Sequence, residues 1–130
     1  MEPLGRKLFH TTLHDMSVFV LSVDHHLANL SDPTQSCHVT LFNREKRAVD
    51  VLLDIGNESG IFRRQLLRLS PSPEAGSVLQ LTDMETAQNP FYLRMITSIY
   101  NPETLFILAE FVQNGNVVAK RTVNHFTVTP

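Results

Sequence analysis

The sequence predicts an all-β domain: an antiparallel two-sheet sandwich of about seven to nine strands, with room for one short helix. Three observations predict it. Between the breaks in the chain, apolar residues recur at every second position, which is the period of a strand and not of a helix. Turn-forming clusters recur roughly every 8–15 residues, the spacing of a sandwich or barrel. Asn114-Gly115 lies between two apolar, β-rich runs, a strong local signal for a hairpin. One domain, 1–130, accounts for the whole chain of 130 residues. A chain of that length buries roughly two-thirds of its unfolded surface and needs no staple.

The elements follow in order. Met16 to Val23 is apolar on both faces, as a central strand is. After a break from Asn29 to Ser36, His38 to Phe42 begins a strand. Asn43-Arg44-Glu45-Lys46-Arg47 reads as a charged hairpin loop feeding Ala48 to Ile55. There Val49, Val51, Leu53 and Ile55 share one face, while Asp50 and Asp54 flank Leu52 on the other. A break at Gly56 to Gly60 precedes an ambiguous segment, Ser59 to Leu69. Its Ile61, Phe62, Gln65, Leu66 and Leu69 make a helical stripe, and its strand alternation is less clean. Ser70 to Ser77 is the strongest loop, because Pro71 and Pro73 each remove a donor and push the preceding residue toward extended backbone. Val78 to Leu81 is a short strand. Phe91 to Tyr100 is a longer one, with Phe91, Leu93, Met95 and Ile99 on one face and Arg94 and Ser98 on the other.

The C-terminal hairpin pairs Thr104 to Val112 with Val117 to Val123. A type I′ turn at Asn114-Gly115 sets Val112 opposite Val117, Phe111 opposite Val118 and Phe106 opposite Val123, with Glu110 diagonal to Arg121. A rival reading starts a helix at Asn101-Pro102-Glu103, with an N-cap, a proline at the first position and an acid in the first turn, and ends it at Gly115. Leu105 to Val128, a long hairpin followed by the extended Val123-Asn124-His125-Phe126-Thr127-Val128, resembles the last two strands of an immunoglobulin-like or fibronectin-III-like sandwich. The chain departs from the antibody pattern in having no Trp and no cysteine pair. A C2-like sandwich is a further candidate, but its calcium loops need clustered aspartates, and Asp24, Asp32 and Asp83 are scattered. Either resemblance implies a fold and no activity.

Composition narrows the function. The chain is 18% charged, below the quarter or so usual for a soluble domain. A sheet buried on both faces or a protein interface would explain the shortfall. A formal net charge of -2 and a pI near 6.3 disfavour a nucleic-acid partner. The single cysteine, Cys37, rules out an intrachain disulfide and favours an intracellular, reducing compartment. Two sequons, at Asn29 and Asn57, pull toward an extracellular one, where both would be glycosylation acceptors. No signal peptide is expected at the start, and the run Met16 to Val23 is too short for a membrane span.

Motifs that carry chemistry are scarce. His25 and His26 would point to opposite faces of a strand, although Asp24 and His26 would share one. His10 and His14 would be roughly 13 Å apart along a strand. Cys37-His38 is a further potential ligand pair, but none of these has a recognised zinc spacing. No metal or other cofactor is therefore expected. There is no Gly-x-Ser-x-Gly elbow, and the five glycines form no phosphate cradle. Cys37 reads as a small buried hydrophobe, and Asp50 with Asp54 as a solvated strand face. No catalytic residue is expected. Arg63, Arg64 and Arg68 form a basic cluster suited to an acidic partner or a phosphate group. Ser70-Pro71 and Ser72-Pro73 resemble proline-directed phosphorylation sites, and phosphates there could bind the arginines. Together these features favour a non-catalytic protein-interaction or structural module, self-associating through sheet edges. The second reading is a small α+β ligand-binding or enzymatic domain with an apolar pocket.

Overall fold

In a computed structural model of the chain, residues 16–23, 36–86 and 90–129 are described. They form nine strands: β1 (Ser17–Val23), β2 (Ser36–Asn43), β3 (Val49–Asn57), β4 (Gly60–Leu69), β5 (Val78–Glu85), β6 (Phe91–Thr97), β7 (Leu105–Gln113), β8 (Asn116–Thr122) and β9 (Thr127–Thr129). One sheet has five strands in the order β4-β3-β6-β1-β9, and the other has four in the order β5-β2-β7-β8. Every pairing is antiparallel. The fold is thus the two-sheet β-sandwich that the period-2 patterning predicted.

Alternation builds the core. Phe19 and Leu21 from β1, Val39 and Leu41 from β2, Val51 and Leu53 from β3, Leu93 and Met95 from β6, and Ile107 and Phe111 from β7 all face inward and are buried. The rings of Phe91 and Phe111 meet edge-on between the sheets, 6.2 Å apart. Burying a side chain of this size contributes roughly 1.5–3 kcal/mol. Central strand β3 is also covered on its outer face, where Leu52 and Asp54 are buried. That accounts for part of the low charge content.

Antiparallel order brings the loops at 44–48, 70–77 and 98–104 to one end. Buried Asn43 braces them: its Nδ2 donates to the carbonyls of Arg47 (2.8 Å) and Ser70 (3.0 Å), and its Oδ1 accepts from Glu45 N–H at 2.9 Å. Glu45 Oε1 accepts from the backbone N–H groups of Tyr100 and Asn101 and from the Thr104 hydroxyl, each at 3.1 Å. Its carbonyl accepts from Ser72 N–H at 2.8 Å. The charged stretch after β2 is therefore a structural tie as well as a connection. Arg44 lies over the rings of Phe42 and Phe106, 5.5 and 5.7 Å from their centroids.

Several expectations change. Pro102 to Gln113 is not a helix. The cap is real, with Asn101 Oδ1 accepting from Glu103 N–H at 3.0 Å, but it serves a single 3-10 turn, Pro102–Thr104. From Leu105 onward, Leu105, Ile107, Ala109 and Phe111 alternate into the core, and a helix would scatter them around its axis. The α+β architecture of the second reading does not form. Ser59 to Leu69 is strand rather than helix, with Leu67 and Leu69 turned inward. The strand from Val78 runs on to Glu85, and the one from Phe91 stops at Thr97.

The hairpin turns at Asn114 and Gly115, both at positive φ as a type I′ turn needs. Val112 faces Val117 as expected, but a bulge follows between Phe111 and Val112. Phe111 then faces Ala119 instead of Val118, and Glu110 faces Lys120, with which it forms an ion pair at 3.9 Å. The bulge sets a small side chain across from a fully buried ring and leaves Val118 exposed. Strand β8 ends at Thr122, so Phe106 and Val123 do not pair. The chain crosses to the other sheet, where β9 pairs with β1. Asn29, Asp24, Asp32, His10, His14, His25 and His26 lie outside the described residues.

Candidate functional site

A sheet edge presents unpaired N–H and C=O groups and is a template for another strand. Among the described residues the edge strands are β4, β9, β5 and β8. Strand β9 has three residues. Strand β5 is interrupted where its register with β2 shifts between Cys37 and Val39, with Asp83 at φ 52. Strand β8 carries the bulge opposite Phe111 and Val112, and bears Lys120 and Arg121. Strand β4 differs. It has ten residues, its one register shift lies near its start, and from Arg63 to Leu69 it pairs with β3 without interruption. Among the described residues its other side is unpaired. Ile61, Phe62 and Leu66, 41%, 44% and 47% exposed, all belong to it.

The sheet face beside this edge is organised in rows. Cross-strand register aligns Leu66, Leu52, Ile96 and Val18 in one row and Arg64, Asp54 and Arg94 in the next. Asp54 is fully buried beneath its neighbours. Arg64 donates to it through Nε (2.7 Å) and Nη2 (3.1 Å), and Arg94 through Nη2 (2.7 Å) and Nε (3.3 Å). Burial alone would raise the Asp54 carboxyl. The hydrogen bonds and charges of the two guanidinium groups outweigh it and hold the carboxyl below the usual range. Arg94 also stacks over Tyr92, 5.6 Å from the ring centroid. Tyr92 in turn covers Gly56, where an added Cβ would lie 2.5 Å from the phenol oxygen. Arg68 pairs with the more exposed Asp50 at 3.1 Å.

The structure therefore separates the three arginines of the predicted cluster. Arg64 and Arg68 share the outer face, each with an aspartate partner. Arg63 points the other way. Its Nη2 donates to Gln65 Oε1 at 3.1 Å, while its buried Nε has no hydrogen-bond partner among the described residues. Asp50 and Asp54 do not form the solvated face expected of them: Asp54 is fully buried, held by two arginines under the neighbouring rows. The partners could have been found in the sequence. Two aspartates four apart and two arginines four apart straddle the break at Gly56 to Gly60, and a hairpin there aligns both pairs. Arg94 comes from a distant strand and left no such signal.

The remaining candidates fall elsewhere. Cys37 is buried in the core, and burial pushes its thiol up to about 12, against a small opposing effect of Arg63. His38 is on the opposite face of β2, so the two cannot share an ion. His38 Nδ1 accepts from Asp83 N–H at 3.0 Å, and His125 Nδ1 accepts from Thr122 N–H at 3.0 Å. Among the described residues no three His, Cys, Asp or Glu gather in a way that could hold a metal. Ser70 and Ser72 are half-buried in the braced loop. The Ser70 amide donates to Gly76 carbonyl at 3.0 Å, and its hydroxyl packs so close that a Cβ on Gly76 would lie 2.5 Å away. Asn57 is half-buried at the β3–β4 turn, its Oδ1 accepting from Ser59 N–H at 2.8 Å. One open depression of about 400 Å³ is lined by Glu45, Lys46, Arg47 and Tyr100. A second, of about 330 Å³, is lined in part by Val23, Pro90, Phe91 and Tyr92.

No protein-family model matches the chain, and neither a curated protein nor a solved structure does. Among the described residues no helix is long and apolar enough to cross a membrane.

Proposed function

We propose that this domain is a non-catalytic protein-interaction module that takes up an extended segment of a partner along β4. The observation that carries the reading is the length of uninterrupted edge: β4 has a bulge only near its start and then runs unbroken from Arg63 to Leu69, with Leu66 exposed on its outer face, whereas β9 has three residues and the unbroken stretches of β5 and β8 are shorter. Strand addition uses main-chain hydrogen bonds for affinity and alternate side chains for specificity. Leu66 and its row of Leu52, Ile96 and Val18 extend the apolar surface inward from the edge. An immunoglobulin-like sandwich belongs to the same proposal, supported by the β7–β8 hairpin and the crossing segment after it.

The test is a selection of peptides from a random display library on the whole chain, followed by hydrogen exchange. Bound peptides should protect those amides of β4 that face away from β3. Peptides that protect only the loop end around Tyr100 would overturn the reading. Self-association through the same edge is its second form, and a strict monomer at high concentration in size-exclusion chromatography with light scattering removes it.

A further inference from the structure

We infer that the strand captured by β4 is acidic, with the alternating pattern acid-x-apolar-x-acid. The inference rests on the edge reading above and adds the chemistry of the partner. Outward-facing side chains of β4 run Arg64, Leu66, Arg68. Side chains of an added strand would stand directly opposite them, within about 5.5 Å between Cβ atoms. The pattern reads the same in either strand direction.

The charge rows already in the sheet specify the sign. One row runs Arg94, Asp54, Arg64, positive, negative, positive, and ends at β4, whose other side is unpaired among the described residues. The other runs Asp50, Arg68 and ends at the same edge, again on a positive group. A carboxylate opposite each of these arginines would continue both alternations. The arginines have donors to offer it. Arg64 uses Nε and Nη2 on Asp54, and Arg68 uses Nη1 on Asp50, out of five N–H donors on each guanidinium. Their side chains are 50% and 70% exposed. Between them, Leu66 calls for an apolar neighbour.

The same charges weigh against a second copy of this strand. Strand β4 carries Arg63, Arg64 and Arg68 and no acidic residue. Antiparallel pairing of two copies centred on Leu66 would set Arg64 of each against Arg68 of the other. Like charges directly opposite are destabilising.

Three synthetic peptides, alike except for a Glu-Thr-Val-Thr-Glu, Gln-Thr-Val-Thr-Gln or Lys-Thr-Val-Thr-Lys core, test the inference on the whole chain by fluorescence anisotropy. The Glu peptide should bind tightest, about fivefold or more over the Gln peptide, and the Lys peptide weakest. The gap should narrow in high salt. Arg68→Glu leaves one charge of each sign on the edge and should bring the Glu and Lys peptides to within about twofold of each other, with a small fall in melting temperature because it loses the Asp50 pair and sets a like charge opposite it. Equal binding of all three, with protection of β4 amides, would overturn the acidic inference and leave the edge reading standing. No binding of any peptide, with no protection of β4, would overturn both. A dimer paired through β4 would overturn the acidic partner and keep the edge.

Discussion

Replacing Asp54 with alanine tests the physical centre of the outer face. The carboxylate is fully buried and accepts four hydrogen bonds from two arginines. Breaking a buried ion pair from one side typically costs about 3–5 kcal/mol, because the other charge stays buried. Here the stranded charges are not buried: the Arg64 and Arg94 side chains are 50% and 32% exposed and can rehydrate. Discounting for that screening leaves a loss of about 2–3 kcal/mol for Asp54→Ala. In a domain of this size that lowers the melting temperature by roughly 10 °C. Asp50→Ala is the control. Its partner Arg68 is 70% exposed, and such a surface pair is worth no more than about 0.5–1 kcal/mol. Urea unfolding followed by circular dichroism measures both. The pH dependence supplies a second readout. The folded carboxyl of Asp54 titrates below its unfolded value, so its contribution is complete above pH ~4 and is lost as pH falls further. The gap between the parent and Asp54→Ala should therefore close in acid. Equal losses for the two variants, or a gap that widens below pH ~4, would refute the account.

Two other outcomes follow from the buried polar and thiol groups. Asn43→Ala should cost about 3 kcal/mol, since it orphans two carbonyls and an N–H at the braced end, and hydrogen exchange should quicken across 70–77; a loss under about 1 kcal/mol would show that water replaces the brace. Cys37, buried and pushed up to about 12, should resist a thiol reagent in the folded protein at pH ~8 and react fully in urea; rapid labelling under native conditions would place it at the surface.

Legibility varied along the chain for physical reasons. Strands β3 and β6 are plain, because the face that each turns toward the opposite sheet is apolar at every second residue. Strand β4 was ambiguous for the reason that makes it the candidate site. Its exposed Ile61, Phe62 and Leu66 fill positions where a solvated strand carries polar residues, and they mimic a helical stripe. Asn101-Pro102-Glu103 is a sound helix start, but nothing local records that the next residues must alternate into a core. The Asn-Gly turn fixed its first pair correctly. The bulge after it answers to the fit of Ala119 beside Phe111, a packing matter that turn chemistry does not encode. Sheet order and the arrival of Arg94 beside Asp54 are long-range facts, and a pattern of neighbours cannot hold them.

The hydrogen bonds that gather at one end of the sandwich bear on how this chain can be rebuilt. Asn43 and Glu45 tie three connections into one unit, so a cut or insertion in 44–47 would release 70–77 and 98–104 together. Among the described residues, the tips of the β3–β4 and β7–β8 hairpins carry local turn bonds, Ser59 N–H to Asn57 Oδ1 and Asn116 Nδ2 to the Asn114 carbonyl. New termini opened between Asn114 and Gly115 would leave both sheets wired as they are. A reporter grafted between Glu58 and Ser59 would sit at the mouth of β4, where the arrival of a strand can be read as a change in its signal.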